Sequence, residues 1–382
     1  MGVFVQSSMI RLWLMVTLIV LFSTILTATV VFFAFRLHLS FSQMRIRKQY
    51  TAALEAPSVS VCIPARNETH AMTQCLERVL ASDYNKLEVI VYDDSSIDDT
   101  SVLVRSFAHV GVRFVPGSDL PDGWLGKNHA LDVLAKEASG TYVIFLDVDT
   151  YITSSTISQL VGYMMTEHRK MISVIPGRSD IWRVSVLFGS LRYFWQLLFS
   201  RSSMPASSSS AWMIELDTLQ ALGGLDSYKT DVLPEARLAA DLGSTYSCLI
   251  NNPSLGVTYE KRWASQMETS RRLLYPMMGQ STLGGLLGML ALLVLNLPLI
   301  GVLSIFILDW GLVQMTSLWL MAAFMAVYAA YTGHLWQNMW WLGGILWPFV
   351  ILQELVLFIQ SWAGYVLKTI TWKGRRIDVP KK

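Results

Sequence analysis

The chain has 382 residues, 53% of them hydrophobic and 14 of them Trp, with a formal net charge of +2. It is too apolar for an ordinary soluble protein, so part of it lies in lipid, and too weakly charged to be a nucleic-acid binder. Cys62, Cys75 and Cys248 show neither metal-ligand spacing nor a paired framework, which fits a reduced compartment.

Residues 12–35 carry no charge. About 24 residues at ~1.5 Å each cover a hydrocarbon layer of about 30 Å. The run is long for a signal peptide and no small-residue cleavage site follows it before Arg36, so it reads as a membrane anchor. Arg11 alone precedes it, whereas Arg36, Arg45, Arg47 and Lys48 follow, which orients the next domain to the cytoplasm.

Residues 51–262 alternate apolar runs with helix-period segments, as a parallel α/β sheet does. Strands are expected at 59–63, 88–92, 112–115 and 142–146. Between the first two, Met72, Cys75, Leu76, Val79 and Leu80 recur at helical spacing and should cover the sheet. Asp98-Asp99-Thr100 opens a second helix, with Val102, Leu103, Phe107 and Ala108 expected on its apolar side. No Gly-x-Gly-x-x-Gly follows the first strand, which disfavours a nicotinamide or flavin site.

The strand ends carry the chemistry. The first runs into Pro64-Ala65-Arg66-Asn67-Glu68 and the second into Asp93-Asp94-Ser95-Ser96, at the edge where open α/β sheets bind ligands. Carboxylates there can accept from a base edge or ribose hydroxyls. Gly126-Lys127 sets a Lys at a helix start, suited to a phosphate or a sugar hydroxyl. The fourth strand ends in Asp147-Val148-Asp149, whose i, i+2 carboxylates leave the strand on one side and can hold a divalent cation against a substrate's phosphates. Each loop alone is a common turn, but four in this order form a site.

Residues 184–199 are apolar between Arg183 and Arg201 and suit either an interfacial helix or a core helix. The Ser-rich stretch 202–210 reads as a mobile loop over the site. From residue 273 to 367 there is no Lys or Arg, with candidate spans at 283–308, 312–331 and 340–359. Arg271 and Arg272 on one side, and Lys368, Lys373, Arg375 and Arg376 on the other, both read as cytoplasmic. Three full crossings would separate them, so either one segment is re-entrant or interfacial or the tail breaks the rule. Asn296, Gln314, Gln353 and Glu354 are too few to line a polymer channel.

The order of these motifs resembles the family-two glycosyltransferases of GT-A fold over residues 58–263, carried by residues 59–68, Asp93-Asp94, Gly126-Lys127 and Asp147-x-Asp149. Leu222-Gly223-Gly224-Leu225-Asp226 looks like the family's acceptor loop, and Pro234-Glu235-Ala236-Arg237-Leu238 stands where the family has Glu-Asp-x-x-Leu. The resemblance implies an inverting transfer from a nucleotide-diphosphate sugar, a UDP-sugar first, with Mg²⁺ or Mn²⁺ held by Asp149 and helped by Asp147. It makes Glu235 the general base, the alternative being a surface carboxylate beside Arg237. It assigns substrate contacts to Pro64, Ala65, Asn67, Glu68, Asp93, Asp94, Lys127, Asp147, Gly223, Gly224, Arg262 and Trp263.

Processive synthases of the family carry Gln-x-x-Arg-Trp. Here Tyr259 stands in place of the Gln before Arg262-Trp263, which argues against the processive alternative. A noncatalytic membrane scaffold or transporter has no need of Asp147, Asp149 and Glu235 together. The ending Trp372-Lys373-Gly374-Arg375 is similar to that of bacterial family members that glycosylate carotenoid-type or hopanoid-type lipids, so a membrane lipid is the implied acceptor, with polyprenyl phosphate or diacylglycerol types as others. The expected organisation is an anchor and basic linker at 1–50, a GT-A domain at 51–272, membrane helices at 273–367 and a basic tail at 368–382, placing a multi-pass protein in the cell membrane.

Overall fold

The structure is a computed structural model and describes residues 2–46, 48–50, 56–179, 188–189, 191–279, 281–309, 311–336 and 339–377. At its centre is a seven-stranded sheet in the order β3-β2-β1-β4-β8-β6-β9. Strands β1 (Val59–Ala65), β2 (Leu87–Asp93), β3 (Val112–Pro116) and β4 (Tyr142–Leu146) are parallel. Strand β8 (Ala211–Glu215) runs antiparallel between β4 and β6 (Met171–Ile175), and β9 (Tyr246–Ile250) pairs parallel with β6.

Each expected strand is found, the first three extended by one or two residues and the fourth with its expected bounds. Their near-continuous β-branched runs are those of strands buried on both faces. Alternation sorts them: Val61, Ile63, Val89, Val91, Ile144 and Leu146 enter one core, and Cys62, Ile90, Tyr92, Val143 and Phe145 the other. Helix α2 (Thr69–Leu80) covers the first core with Met72, Cys75, Leu76 and Val79, and α4 (Gly126–Glu137) covers the second with Leu131 and Leu134. The next helix, α3 (Thr100–Ser106), departs from expectation. It is too short for a full apolar stripe and buries Thr100 and Val104, leaving Val102 70% exposed and Ala108 at the surface.

Among the described residues four helices are long and apolar enough to cross a membrane, in segments Val16–Met44, Thr282–Phe306, Leu312–Leu335 and Trp347–Val366. The first belongs to α1 (Gly2–Met44); the others are α10 (Thr282–Leu303), α11 (Leu312–Leu335) and α13 (Trp347–Val366). The last starts later than the expected 340–359. A six-residue helix, α12 (Trp340–Ile345), comes first, and Pro348 in the first turn of α13 marks the new start.

Part of the 184–199 segment lies outside the described residues. Its remainder, α6 (Arg192–Phe199), is a core helix rather than an interfacial one, with Arg192 through Leu198 buried. Phe194 sits edge-on to Phe33, Tyr328 and Tyr331. The basic flank of α1 satisfies carbonyls at the C-terminus of α6. Arg36 donates to Leu198 O and Ser200 O at 2.9 Å each, and Ser40 to Leu197 O at 2.9 Å.

Leu76 is fully buried whereas Val102 stands in solvent. Leu76→Ala should cost about 2–5 kcal/mol and lower the thermal midpoint of detergent-purified protein, while Val102→Ala should change stability by less than about 0.5 kcal/mol.

Candidate functional site

Parallel registry brings the carboxyl ends of β1, β2 and β4 to one edge, with Ala65 opposite Asp93 and Cys62 opposite Phe145. A cleft of about 670 Å³ opens there, lined by Pro64, Ala65, Glu68, Asp94, Lys127, Asp147 and Asp149 among others. Asn67 lies just outside. In the left-handed region at φ 54°, it ties the two loops together, its N–H donating to Ser96 Oγ at 2.9 Å and its Oδ1 accepting from Ile97 N at 2.9 Å.

The two adjacent aspartates divide their work. Asp93 accepts from Ser96 N at 3.2 Å and from Ser101 Oγ, so its carboxylate shapes the loop. Asp94 faces the cleft, where both its oxygens accept from Arg375 Nη1 at 2.8 Å. Arg375 belongs to a two-stranded hairpin, β11 (Thr371–Trp372) and β12 (Arg375–Arg376), that folds back over the sheet edge from the far end of the chain. In the same hairpin Lys373 Nζ pairs with Glu68 and donates to Arg66 O at 3.0 Å.

After β4, the turn is fixed by Asp147 N donating to Ser210 O and Thr150 N to Asp147 O, both at 2.9 Å. Asp147 pairs with Lys127, and Asp149 Oδ2 lies 3.7 Å from Lys261 Nζ. Burial works against the charge of Asp147, but the Lys127 ammonium outweighs it and holds the carboxyl below its ordinary value. Among the described residues no three His, Cys, Asp or Glu side chains converge as a metal-ligand set. Two carboxylates at i, i+2 still suit Mg²⁺ or Mn²⁺, because such ions are commonly held by one or two carboxylates with substrate phosphates and waters filling the rest.

A second space of about 670 Å³ adjoins the first, sharing Gly126, Lys127, Ser209, Arg272 and Trp372 as walls. Glu235 lines it, as the second residue of α8 (Pro234–Leu242). At 1% exposure it is no surface group beside Arg237: its Oε1 lies 3.2 Å from Arg192 Nη2. The Ser-rich stretch is likewise pinned rather than draped over the site. Ser207, Ser208 and Ser210 are buried, Ser208 Oγ lies 3.0 Å from Tyr193 Oη, and Arg192 donates to Ser209 Oγ at 3.2 Å.

Besides Asn67 and Asp93, four more of the expected site residues line neither space. Gly223 and Gly224, at φ 87° and 67°, form the turn into the next segment and line neither space. Arg262 is exposed outside the cleft, and Trp263 packs edge-on to Phe188. Basic groups that line the walls besides Lys127 include Arg192, Lys261, Arg272, Lys373 and Arg375, with Arg272 over the ring of Trp372 at 5.3 Å. The sequence marked Arg272 as a basic border and Lys373 and Arg375 as a basic tail within the Trp-Lys-Gly-Arg ending, and gave no site role to Arg192 or Lys261.

Residues 60–195 match the model of glycosyl transferase family 2. The chain carries a family-two glycosyltransferase domain. Over 141 residues this transferase domain is 29% identical to the 4,4'-diaponeurosporenoate glycosyltransferase of Staphylococcus aureus, a stretch covering 36% of each chain. Over 108 residues it is 32% identical to the GalNAc(5)-diNAcBac-PP-undecaprenol beta-1,3-glucosyltransferase of Campylobacter jejuni, covering 28% of this chain and 34% of that one. The chain thus spans little more than a third of the length of these relatives. The mannosyltransferase PcManGT of Pyrobaculum calidifontis, solved with GDP-Man and Mn²⁺, shares the fold with a TM-score of 0.54 at 16% identity, over 92% of this chain and 99% of that one. The transferase domain has the GT-A architecture, a mostly parallel sheet, joined to membrane-length helices at both ends of the chain.

Burial pushes Glu235 above its ordinary value, while the charges of Arg192 and Lys127 pull the other way. Its charged, proton-accepting form is therefore reached only above the usual midpoint of about 4.3. The infrared carboxyl band that disappears in Glu235→Gln should titrate above that midpoint, and Arg192→Met should move it higher by removing a cation that favours the charge. A midpoint at or below about 4.3 would contradict this.

Proposed function

We propose that the protein is an inverting glycosyltransferase that moves one sugar from a nucleotide-diphosphate sugar to a membrane lipid. The observation that carries this reading is the shared wall of Lys127, Ser209 and Arg272, which puts Asp149 and Glu235 in two adjoining spaces. In this reading Ala65 and Asp94 receive the base and ribose. Lys261, Arg272 and Lys373 face the diphosphate. Asp149 and Asp147 would hold Mg²⁺ or Mn²⁺, which when bound supplies positive charge against the leaving diphosphate.

The remaining steps belong to the chain's own groups. An acceptor hydroxyl enters beside Glu235, whose carboxylate takes its proton as the oxygen attacks the anomeric carbon. The new glycosidic C–O bond forms while the opposite C–O bond to phosphate breaks, and the nucleoside diphosphate leaves with the electron pair. Arg192 keeps the base aimed by its ion pair. The names of the two bacterial relatives, one acting on a carotenoid-type acid and one on an undecaprenol-linked sugar, support a lipid acceptor.

The arrangement of the C-terminal helices supports a cytoplasmic site with two, not three, crossings after the domain. At the end of α11, Trp336 bridges to Arg178 of the small strand Gly177–Arg178, which returns the chain to the domain. At the end of α13, Tyr365 donates to Arg272 O at 2.8 Å, and the hairpin that follows sits on Glu68 and Asp94. Both ends of the 340–366 segment thus meet the same domain. Its last helix lies along the interface with Phe349, Leu352, Val356 and Ile359 facing outward, and the basic tail stays on the side of Arg36 and Arg272.

Asp149→Asn should abolish transfer with little change in fold. Glu235→Gln should bind the donor normally and lose about 10²–10⁴-fold in turnover. With radiolabelled nucleotide sugar and enzyme in lipid vesicles, the label should become extractable into organic solvent as a lipid glycoside. Long water-soluble chains would refute the lipid acceptor, and near-normal turnover by Glu235→Gln would place the base elsewhere.

A further inference from the structure

Between α1, α6, α10 and α13 lies a third space of about 590 Å³, walled by side chains such as Phe33, Phe199, Leu292, Leu295 and Phe358. Two of its walls, α1 and α10, are helices of membrane-crossing length, so the hollow opens where hydrocarbon would lie. It is not wholly apolar. Gln196 and Glu354 line it at 7% and 0% exposure, and among the described residues Gln196 Oε1 and Glu354 Oε2 have no hydrogen-bond partner. The other oxygen of Glu354 accepts from Trp195 Nε1 at 2.9 Å, which fixes the side chain. Buried acceptors without donors are costly unless a ligand supplies the protons.

This hollow joins the chemistry at two points. Gln196 follows Arg192 by four residues on α6, so the two share a face about 6 Å apart along the axis, and Arg192 is the ion-pair partner of Glu235. Met204 and Met277 line the hollow and also pack with Leu233 and Ala236, on either side of the Pro234-Glu235 pair. The hollow and the base are thus neighbours, joined by α6 and by the packing of Met204 and Met277.

We propose that the hollow seats the hydrocarbon of the acceptor, and that Gln196 and Glu354 select a neutral lipid with at least two hydroxyls over a lipid phosphate. One hydroxyl donates its proton to Gln196 Oε1 or Glu354 Oε2 while another, about one helical turn away, reaches Glu235. As amide and carboxylate oxygens the two orphan atoms are acceptors, and a hydroxyl has a proton to give. A phosphate monoester would set its own negative charge against a carboxylate and an amide oxygen, while Arg201, the cation among the lining residues, is an exposed side chain. The proposal rests on the transferase reading above and narrows its acceptor.

The test uses full-length enzyme in nanodiscs with three diazirine-bearing probes of equal chain length: hexadecane-1,5-diol, hexadecan-1-ol and hexadecyl phosphate. The diol should crosslink within residues 284–295 and accept sugar at least tenfold better than the mono-alcohol, with the phosphate weakest. Ala291→Trp, which fills the exposed mouth of the hollow, should remove both the crosslink and diol transfer, and Gln196→Leu should erase the preference for the diol. Uridine diphosphate binding, measured in the same samples, reports an intact domain. Phosphate transfer equal to or above that of the diol, or wild-type diol transfer by Ala291→Trp, would overturn the proposal. If the diol crosslinks in the hollow and Ala291→Trp abolishes that crosslink while no probe receives sugar, the acceptor site stands and the transferase reading falls.

Discussion

The two spaces at the sheet edge are walled by ion pairs drawn from across the chain: Lys127 on Asp147, Lys261 on Asp149, Lys373 on Glu68, Arg375 on Asp94 and Arg192 on Glu235. Carboxylates gathered this closely at a sheet edge repel one another and lose hydration, so without these cations they could not all stay charged. The pairing keeps the edge near neutral. It also means that an anionic ligand can enter only by exchanging partners, taking lysines and arginines to itself and leaving carboxylates free for a metal ion.

That constraint reaches into the membrane part. For Arg375 to meet Asp94, the chain must come back to the domain after α10, α11 and α13, which requires an even number of crossings in between. The hairpin, with α13 along the interface and α10 and α11 as a paired span, is the solution proposed above. Arg192 meets Glu235 from α6, a helix buried against the bundle, and Gln196 on the same helix lines the third space. On the proposed reading, donor chemistry and lipid access are coupled through this helix of eight residues.

Much of the sheet was legible because its strands are uninterrupted β-branched runs ending in polar turns, and buried parallel strands leave that mark. Asp147-Val148-Asp149 was legible as an acidic pair following a strand, but β4 stops at Leu146 and the pair stands in the turn beyond it, where the turn's hydrogen bonds and not strand period 2 set its direction. Which of Asp93 and Asp94 faces the cleft was not, since adjacent residues point oppositely and only the partner, Ser101 or Arg375, decides. Arg192 was hidden in an apolar run, where periodicity reports burial and says nothing of a partner 43 residues away. Lys373 and Arg375 were read as a membrane border because a basic cluster looks the same whether it meets lipid headgroups or carboxylates. The start of the last helix was misplaced because apolar composition continues through 340–346, and only Pro348 marks the break.

The exchange of partners in the donor cleft is tested most directly by the structure of the enzyme with uridine diphosphate and Mn²⁺, using the anomalous signal of manganese. The expected result is a manganese peak bridging Asp149 and the diphosphate oxygens, with Lys261 moved off Asp149 onto the phosphates. Nucleotide bound with the Lys261–Asp149 pair intact, or manganese held away from Asp149, would contradict it.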